Sequence, residues 1–513
     1  MNAAHKFLAL DLGAESGRGV VGVFDGNTIQ LTEVHRFPNG PVRVGDGLYW
    51  DVLRQWQEVQ HAMRAASHQH GALTSLGVDT WGVDFGLLGR GDVLLGNPSH
   101  YRDPRTNGMM EEAFRRVPRE EIFRQTGIQF MQLNTLYQLL AMRLQNSPLL
   151  DVAETFLMMP DLIHFFLTGQ KVCEFSDATT TQFYNPTQRQ TTDHRSLTAA
   201  SVPGGWAIDL LKRLDIPTHF LAEVVPPGTS LGRVRATVAD DCGLTGQLPQ
   251  VIAPASHDTG SAVAAVPAQG DDWCYISSGT WSLMGVEVQE PLITDRTLEL
   301  NFTNEGGVGG TFRFLKNIMG LWLVQESRRT WQRAGEDLSY DELTHLAAHA
   351  PAFVALIEPD HPAFLAPGDM PARIRAFCEK TGQPTPDDKG ALVRCCLESL
   401  ALKYRWVLER LEELFNRRIA VIHIIGGGSQ NRLLNQFTAD ATQRPVLAGP
   451  VEATAIGNVM VQALALGHVR SHAELREVVR RSFVMQTYEP QPSGGWEEAY
   501  GRYLQIMEQA GAF

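Results

Sequence analysis

Apolar and polar positions alternate in short blocks from the start of the chain. Phe7-Leu8-Ala9-Leu10 is an apolar run that ends in Asp11-Leu12-Gly13-Ala14-Glu15-Ser16-Gly17-Arg18, and Gly19 to Phe24 and Thr28 to Phe37 follow as two more strand-like runs around Asp25-Gly26-Asn27. This predicts a buried strand, a polar turn and a hairpin. Trp50 to Ser67 fits a helix, Leu76 to Asp79 and Val83 to Leu88 read as strands, and Met109 to Arg116, Thr135 to Leu144 and Asp161 to Leu167 read as helices. Phe175 to Asn185, with three consecutive threonines, reads as loop or sheet edge. Strands alternating with helices give an α/β class.

A break falls at Gly243 to Pro249, just before the apolar strand Val251-Ile252-Ala253. The second half then opens as the first does, with a strand, a polar turn at Ser256 to Ser261, and a further strand at Trp273 to Ser277 running into Ser278-Gly279-Thr280. A structural duplication is the expectation. Leu397, Leu400, Ala401, Tyr404, Val407, Leu408, Leu411 and Leu414 recur at spacings of three and four and form the apolar stripe of a helix. The strand Ala420 to Ile425 follows, delivering Gly426-Gly427-Gly428-Ser429 to the start of another helix near Leu433. His423 within that strand reads as a core histidine. The expected domains are residues 1–248, 249–469 and a tail, 470–513, that docks through Trp496, Tyr500 and Tyr503.

A chain of 513 residues exceeds what one core usually supports, and 43% hydrophobic residues supply core for two domains. The net charge of -13 argues against bulk nucleic-acid or anionic-membrane binding, so local basic residues must do any phosphate work. The six cysteines lack metal-ligand spacing and read as thiols of a reducing compartment. Met1 to Lys6 leads directly into a strand, with no signal-peptide pattern, and no apolar run is long enough to span a bilayer. The cytoplasm is the expected location.

Three glycine-rich turns stand at strand ends: Asp11 to Arg18, Ser278 to Thr280 and Gly426 to Ser429. Small residues let backbone N–H groups approach an anion, and the first turn joins strand to strand, unlike a P-loop that opens a helix. Asp258, between these turns, is a carboxylate at a helix start, where it could accept a hydroxyl proton or simply cap the helix. A hydrolase triad from Ser256, His257 and Asp258 fails, because adjacent side chains project in different directions.

The chain resembles the FGGY family of carbohydrate kinases over nearly its whole length. The resemblance is carried by Asp11-Leu12-Gly13-Ala14, Asp79-Thr80-Trp81-Gly82-Val83-Asp84-Phe85, Tyr101 to Gly108, Ser256-His257-Asp258-Thr259, Ser277 to Leu283, Lys316 to Trp322 and Gly426-Gly427-Gly428. It implies two actin-like, ribonuclease H-like α/β domains with the active site in the cleft between them, closing on substrate. It implies ATP contacts at Ala14, Glu15, Ser16, Gly17, Arg18, Thr280, Gln325 and Gly427, and sugar contacts at Gly82, His257, Asp258, Thr259 and Asn317. Asp258 becomes the proton acceptor, and Asp11 orients water around Mg²⁺. The implied reaction is transfer of the γ-phosphoryl group of ATP to O1 of L-rhamnulose, with L-fuculose or D-xylulose as alternative acceptors and a non-catalytic sensor as the rival class. A monomer or small homo-oligomer is expected. Trp81 and Phe85 could face a sugar ring or lie in the core; Asp103 and Arg105 could form a polar pair at the pocket or a loop salt bridge; and Asn317 and Gln325, eight apart, are expected on one helix. Glu15 is a departure, since a carboxylate beside phosphates is unfavourable unless it faces solvent or helps hold the metal.

Overall fold

A computed structural model describes residues 4–188, 202–492 and 494–511; Met1 to Ala3, part of the leader reading, lie outside them. The chain divides into two compact units, one of Met1–Pro267, Glu287–Phe314 and Ala453–Phe483, the other of Ala268–Val286, Leu315–Glu452 and Val484–Phe513. The strand Gln250–Ala253, just after the boundary expected at 248/249, pairs in parallel with Ser75–Thr80 and so completes the first unit's sheet. The expected tail is likewise shared: its helix His472–Ser482 belongs to the first unit and its last helix, Trp496–Gln509, to the second.

In the first unit the strands run in the order Thr229–Arg233, Gln250–Ala253, Ser75–Thr80, His5–Leu12, Ser16–Phe24, Ile29–Pro38. His5–Leu12 lies antiparallel to Ser16–Phe24 and parallel to Ser75–Thr80. A seven-stranded sheet runs Thr303–Gly306, Phe312–Ile318, Ser282–Val288, Trp273–Ser278, Val421–Ile425, Val446–Ala448, Gln486–Tyr488, and Trp273–Ser278 is again antiparallel to the next strand in sequence and parallel to Val421–Ile425. Numbered by order in the chain, five strands of each sheet read 3-2-1-4-5, with a further antiparallel strand beside the fifth. The duplication suggested by the paired strand-turn openings is therefore present in the topology.

Two glycines of Ser16–Phe24 show how helices reach both faces of the first sheet. A Cβ on Gly19 would stand 2.7 Å from Ala62 of the helix Val52–His70, and one on Gly22 would stand 2.6 Å from Val459 of the helix Ala453–Ala465. Three positions apart on a strand, they point to opposite faces. Phe7, Ala9, Val20 and Phe24 thereby join Ile456, Val459 and Met460 in one core.

The helices Met109–Arg116 and Thr135–Leu144 have the expected bounds. The striped helix runs from Lys389 to Phe415, beginning well before the stripe because Asp388 caps it through the Ala391 N–H at 2.8 Å. Phe175–Asn185 is only in part the expected loop or edge: Phe175–Ala178 is a helical turn and Thr179–Thr181 a 3₁₀ turn, both buried, while Tyr184–Asn185 pairs with Gly205–Trp206 in a two-stranded sheet. The threonine hydroxyls make the buried turns possible by donating to carbonyls three residues back, at 2.7–3.1 Å. In the second unit Tyr503 donates to Glu358 at 2.8 Å and Arg405 pairs with Glu497 at 2.7 Å, which ties the last helix to that unit. Among the described residues no helix is long and apolar enough to cross a membrane. All six cysteines are buried and free.

Candidate active site

In the first unit, Asp258 is the first residue of the helix Asp258–Ala264. Its Oδ1 accepts from the Thr259 N–H at 2.5 Å and the Thr259 hydroxyl at 3.1 Å, and lies 3.5 Å from His257 Nε2. All three contacts fall on one oxygen, and the side chain keeps 31% of its surface exposed. His257, not Asp258, occupies the cap position, so the capping reading does not account for this carboxylate. Burial pushes the Asp258 carboxyl above the ordinary value; the neighbouring His257 works against that rise and the Asp11 charge adds to it.

His257 is itself held from behind. Arg313, fully buried, reaches its Nδ1 at 3.1 Å, approaches Glu305 at 3.2 Å and donates to the Gly306 carbonyl at 2.8 Å. The Glu305 carboxylate also lies 3.3 Å from His257 Nδ1, so the ring stands between Arg313 and Glu305 on one nitrogen and Asp258 on the other.

Two residues that the sequence reading missed fix the backbone entering Asp258. Buried Glu174 accepts from the Ser256 N–H at 2.8 Å, the Ser176 N–H at 3.0 Å and the Ser176 hydroxyl, and that hydroxyl oxygen accepts from the His257 N–H at 3.1 Å. Burial pushes the Glu174 carboxyl up to about 7 against the pull of these donors. The Ser256 carbonyl accepts from Thr80 N–H at 2.9 Å, which ties the turn to the strand that leads into Trp81-Gly82. No local motif flagged Glu174, because the turn it holds, at Ser256, is 82 residues away along the chain.

The Trp81–Phe85 string is an anchor in its own right. Buried Asp84 accepts from Trp50 Nε1 at 2.6 Å, Trp81 Nε1 at 3.0 Å, Gln138 Nε2 at 2.8 Å and the Tyr101 N–H at 3.1 Å. These bonds fix the plane of the Trp81 indole, whose ring lies 3.9 Å from that of Trp50. Val83 adopts φ 68°, a costly conformation for a β-branched residue, and is locked there by Thr180 on its N–H and Thr135 on its carbonyl. Gly82 beside it allows the close approach of Thr180, which a Cβ would meet at 3.0 Å. Phe85 packs on Phe156 with ring centroids 4.8 Å apart and belongs to the core. Asp103 accepts from the Leu48 and Arg105 N–H groups, while the Arg105 guanidinium goes to Ser99 and to Gln138 at 2.6 Å. Phe85, Asp103 and Arg105 line a cavity of about 490 Å³ in which Gly82, His257, Asp258 and Thr259 take no part.

The turn between the first two strands is braced by Asn39, which donates to the carbonyls of Gly13 at 2.7 Å and Glu15 at 2.9 Å. Gly17 lies under Phe37, whose ring a Cβ would meet at 2.1 Å. Arg18 pairs with Asp11 through two bonds of 2.7 and 2.9 Å, so two expected site residues form one unit. Ala14, Glu15 and Ser16 are half-buried in the same turn. Asp11 stands opposite Asp79 in the parallel register. Burial raises the Asp79 carboxyl well above its ordinary value, and the Asp11 and Asp258 charges add to the rise. The Asp11 charge thus acts on both Asp79 and Asp258, and carboxylates grouped in this way fit a divalent cation held by oxygen and water.

In the second unit, Ser278–Thr280 and Gly426–Gly428 sit at the carboxyl ends of adjacent parallel strands, where ligands bind in α/β sheets. A Cβ on Gly428 would stand 2.1 Å from Ser278 Oγ, whereas one on Gly427 would meet nothing within 4 Å. The Gly279 and Thr280 carbonyls accept from Leu321 and Trp322 N–H at 3.1 Å, which joins this turn to the helix Trp322–Arg333. Gln325 on that helix has a buried Oε1 without a hydrogen-bond partner among the described residues. Asn317 and Gln325 do not share a helix as expected: Asn317 lies in the strand Phe312–Ile318. The chain turns between them at Gly320, where a Cβ would stand 2.7 Å from the Ser282 nitrogen.

Residues 6–265 match the N-terminal domain and residues 274–466 the C-terminal domain of the FGGY family of carbohydrate kinases. The chain is 46% identical to a rhamnulokinase of Bacteroides thetaiotaomicron over 96% of its own length and 98% of that relative's, and 40% identical to a rhamnulokinase of Oceanobacillus iheyensis over 94% and 97%. Its fold is similar to that of a ligand-bound xylulose kinase from Lactobacillus acidophilus, with a TM-score of 0.79, 18% identity and 99% of each chain covered. A Plasmodium falciparum glycerol kinase with ADP gives a TM-score of 0.73 at 13% identity, covering 99% of this chain and 98% of that one.

Proposed function

Because the chain belongs to the FGGY family of carbohydrate kinases, we propose that it transfers the γ-phosphoryl group of ATP to O1 of L-rhamnulose, giving L-rhamnulose 1-phosphate and ADP in the breakdown of L-rhamnose. The full-length likeness to curated rhamnulokinases supports the choice of sugar. The observation that carries the chemistry is the Asp258 carboxylate: Oδ1 takes the Thr259 and His257 contacts, and Oδ2 is the atom we assign to the acceptor hydroxyl.

Asp258 removes the O1 proton as the phosphoryl group arrives, and its raised proton affinity makes it a better base than an ordinary aspartate. His257 presents Nε2 to Asp258 and to a sugar hydroxyl, and Thr259 holds the carboxylate in its rotamer. Gly82, in the strained turn fixed by Val83, offers backbone to a second hydroxyl, and Asn317 offers its amide to a third. Backbone groups of Ala14, Glu15, Ser16 and Gly17, together with the Arg18 guanidinium, meet phosphate oxygens, and Thr280, Gln325 and the open face of Gly427 take the rest of the nucleotide. Mg²⁺ held by Asp11 through water, beside Asp79, would neutralise phosphate charge. The buried thiols fit a cytoplasmic enzyme.

A panel of ketoses assayed for sugar-dependent ADP release tests the assignment. L-rhamnulose is expected to show the highest kcat/KM, because a pocket built to hydrogen-bond a hydroxyl penalises its misplacement heavily. Equal or better turnover of L-fuculose or D-xylulose overturns the choice of sugar and leaves the phosphoryl transfer standing.

A further inference from the structure

In the first unit, the strand Ile29–Pro38 and the helix Val52–His70 bring together two imidazoles and a carboxylate that are not among the residues assigned to sugar and nucleotide. His35 Nε2 lies 2.7 Å from Glu58 Oε2, and His61 Nδ1 lies 3.4 Å from the same oxygen. One ligand atom from each of the three residues falls within 4.8 Å of the others. The side chains keep 26%, 18% and 53% of their surface exposed, so solvent reaches the cluster.

The backbone produces this grouping for identifiable reasons. Glu58 and His61 are three apart and share a helix face. Gly19 pairs with His35 and Val20 with Glu33, leaving Val34 as a bulge. Paired residues share a face, and Gly19 faces Ala62 of the helix, so His35 is turned onto that helix. Burial raises the proton affinity of Glu58, but hydrogen bonds from His35 and His61 outweigh it and hold the carboxyl below its ordinary value, keeping it an anion at neutral pH.

We propose that His35, Glu58 and His61 form a binding site for one divalent transition-metal ion of the Zn²⁺, Co²⁺ or Ni²⁺ type. Two imidazole nitrogens and one carboxylate oxygen are a donor set for such ions, with water completing the coordination, whereas Mg²⁺ takes oxygen ligands. The site is therefore chemically separate from the cation assigned to phosphoryl transfer, and it does not depend on which sugar is phosphorylated. Its position suggests what the ion does. His35 stacks on Phe37, the ring that covers Gly17, and the same helix carries Gln55, which donates to Asn39 at 3.0 Å, the residue bracing the phosphate turn. A bound ion staples the strand to the helix directly behind that turn.

The full-length protein, stripped with chelator and dialysed, is titrated with Co²⁺ and with Zn²⁺ by calorimetry and visible absorption in the presence of excess Mg²⁺. The expected result is one equivalent bound with a Co²⁺ absorption band. His61→Ala, an exposed position that folding tolerates, should weaken binding by at least about 10-fold, as should Glu58→Gln. The melting temperature should rise by a few degrees at about 100 times Kd in the parent and not in His61→Ala. His349→Ala, which breaks the separate exposed pair His345 and His349, should leave the stoichiometry unchanged. The assignment is overturned if Mg²⁺ competes the ion away, if no Co²⁺ or Zn²⁺ binds, or if His349→Ala rather than His61→Ala abolishes binding.

Discussion

Glu174→Gln asks whether the turn before Asp258 is held by one buried carboxylate. The amide oxygen can keep the Ser176 N–H, but the amide nitrogen then faces the Ser256 N–H, which the carboxylate holds at 2.8 Å. One buried backbone donor loses its acceptor, a cost of about 1–3 kcal/mol. Any resulting shift of Ser256 and His257 is passed to Asp258, and a displacement of about 1 Å at a reacting group costs roughly 100-fold in rate. We expect kcat to fall about 10- to 100-fold with KM for ATP within about twofold, since Thr280, Gln325 and Gly427 are untouched. The pH dependence gives a second reading. Glu174 titrates near 7 when folded and near 4.5 otherwise, so the folded state binds its proton more tightly; its contribution to stability is fully present below about pH 4.5 and is lost as pH rises through 7, by up to roughly 3 kcal/mol. Glutamine removes that slope. The gap in unfolding free energy between parent and variant, from denaturant melts at pH 5 and pH 8, should therefore narrow or invert at the higher pH. A gap that widens with pH, or full turnover in the folded variant, would refute the reasoning.

Asp258→Asn should cut turnover by about two to four orders of magnitude while ATP still binds, measured by ADP release and calorimetry. In the parent, kcat/KM should fall on the acid side through a pKa above 3.8, because burial raises the Asp258 carboxyl; a limb at or below 3.8 would contradict this. Gly457→Ala places a Cβ 1.8 Å from the Ser261 carbonyl on the helix that Asp258 begins, and should destabilise the protein by about 1–3 kcal/mol or more, read as a lowered melting temperature with reduced turnover. Gly428→Ala drives a Cβ into Ser278 and should raise KM for ATP at least several-fold with a smaller effect on KM for the sugar in steady-state kinetics.

The local elements were legible because strand and helix periodicities are written in adjacent residues, as in Met109–Arg116. The three polar turns were legible because glycine and small residues mark them. Elements whose stability comes from distant partners were not. Phe175–Thr181 carries no apolar period, and its helical turns rest on hydroxyl back-bonding and on the Glu174 cap. Asn317 and Gln325 were assigned to one helix because eight residues suit two turns, and only the close approach of Gly320 to Ser282 breaks the run. Asp84 was legible as part of a string but not as an acceptor for two indoles, since Trp50 lies 34 residues earlier. The unit to which each segment belongs depends on strand pairing, which composition breaks do not record.

The helix Ala453–Ala465 packs on the strands that open the chain: Gln462 donates to the Leu8 carbonyl at 3.0 Å, and Asn458 reaches Asp79. During synthesis, then, the earliest strands emerge more than four hundred residues before the element that covers one of their faces. Until residue 465 has left the ribosome, Phe7, Ala9, Val20 and Phe24 lack that partner, and the nascent first unit presents a sticky apolar surface to whatever is nearby. A chain released early at residue 452 would own every residue assigned here to sugar, phosphate and proton, yet could not close the core beneath Asp11. Completion of the last eighth of the polypeptide is thus a condition for closing the core of the first tenth, and a partial product exposes the very surface the finished enzyme hides.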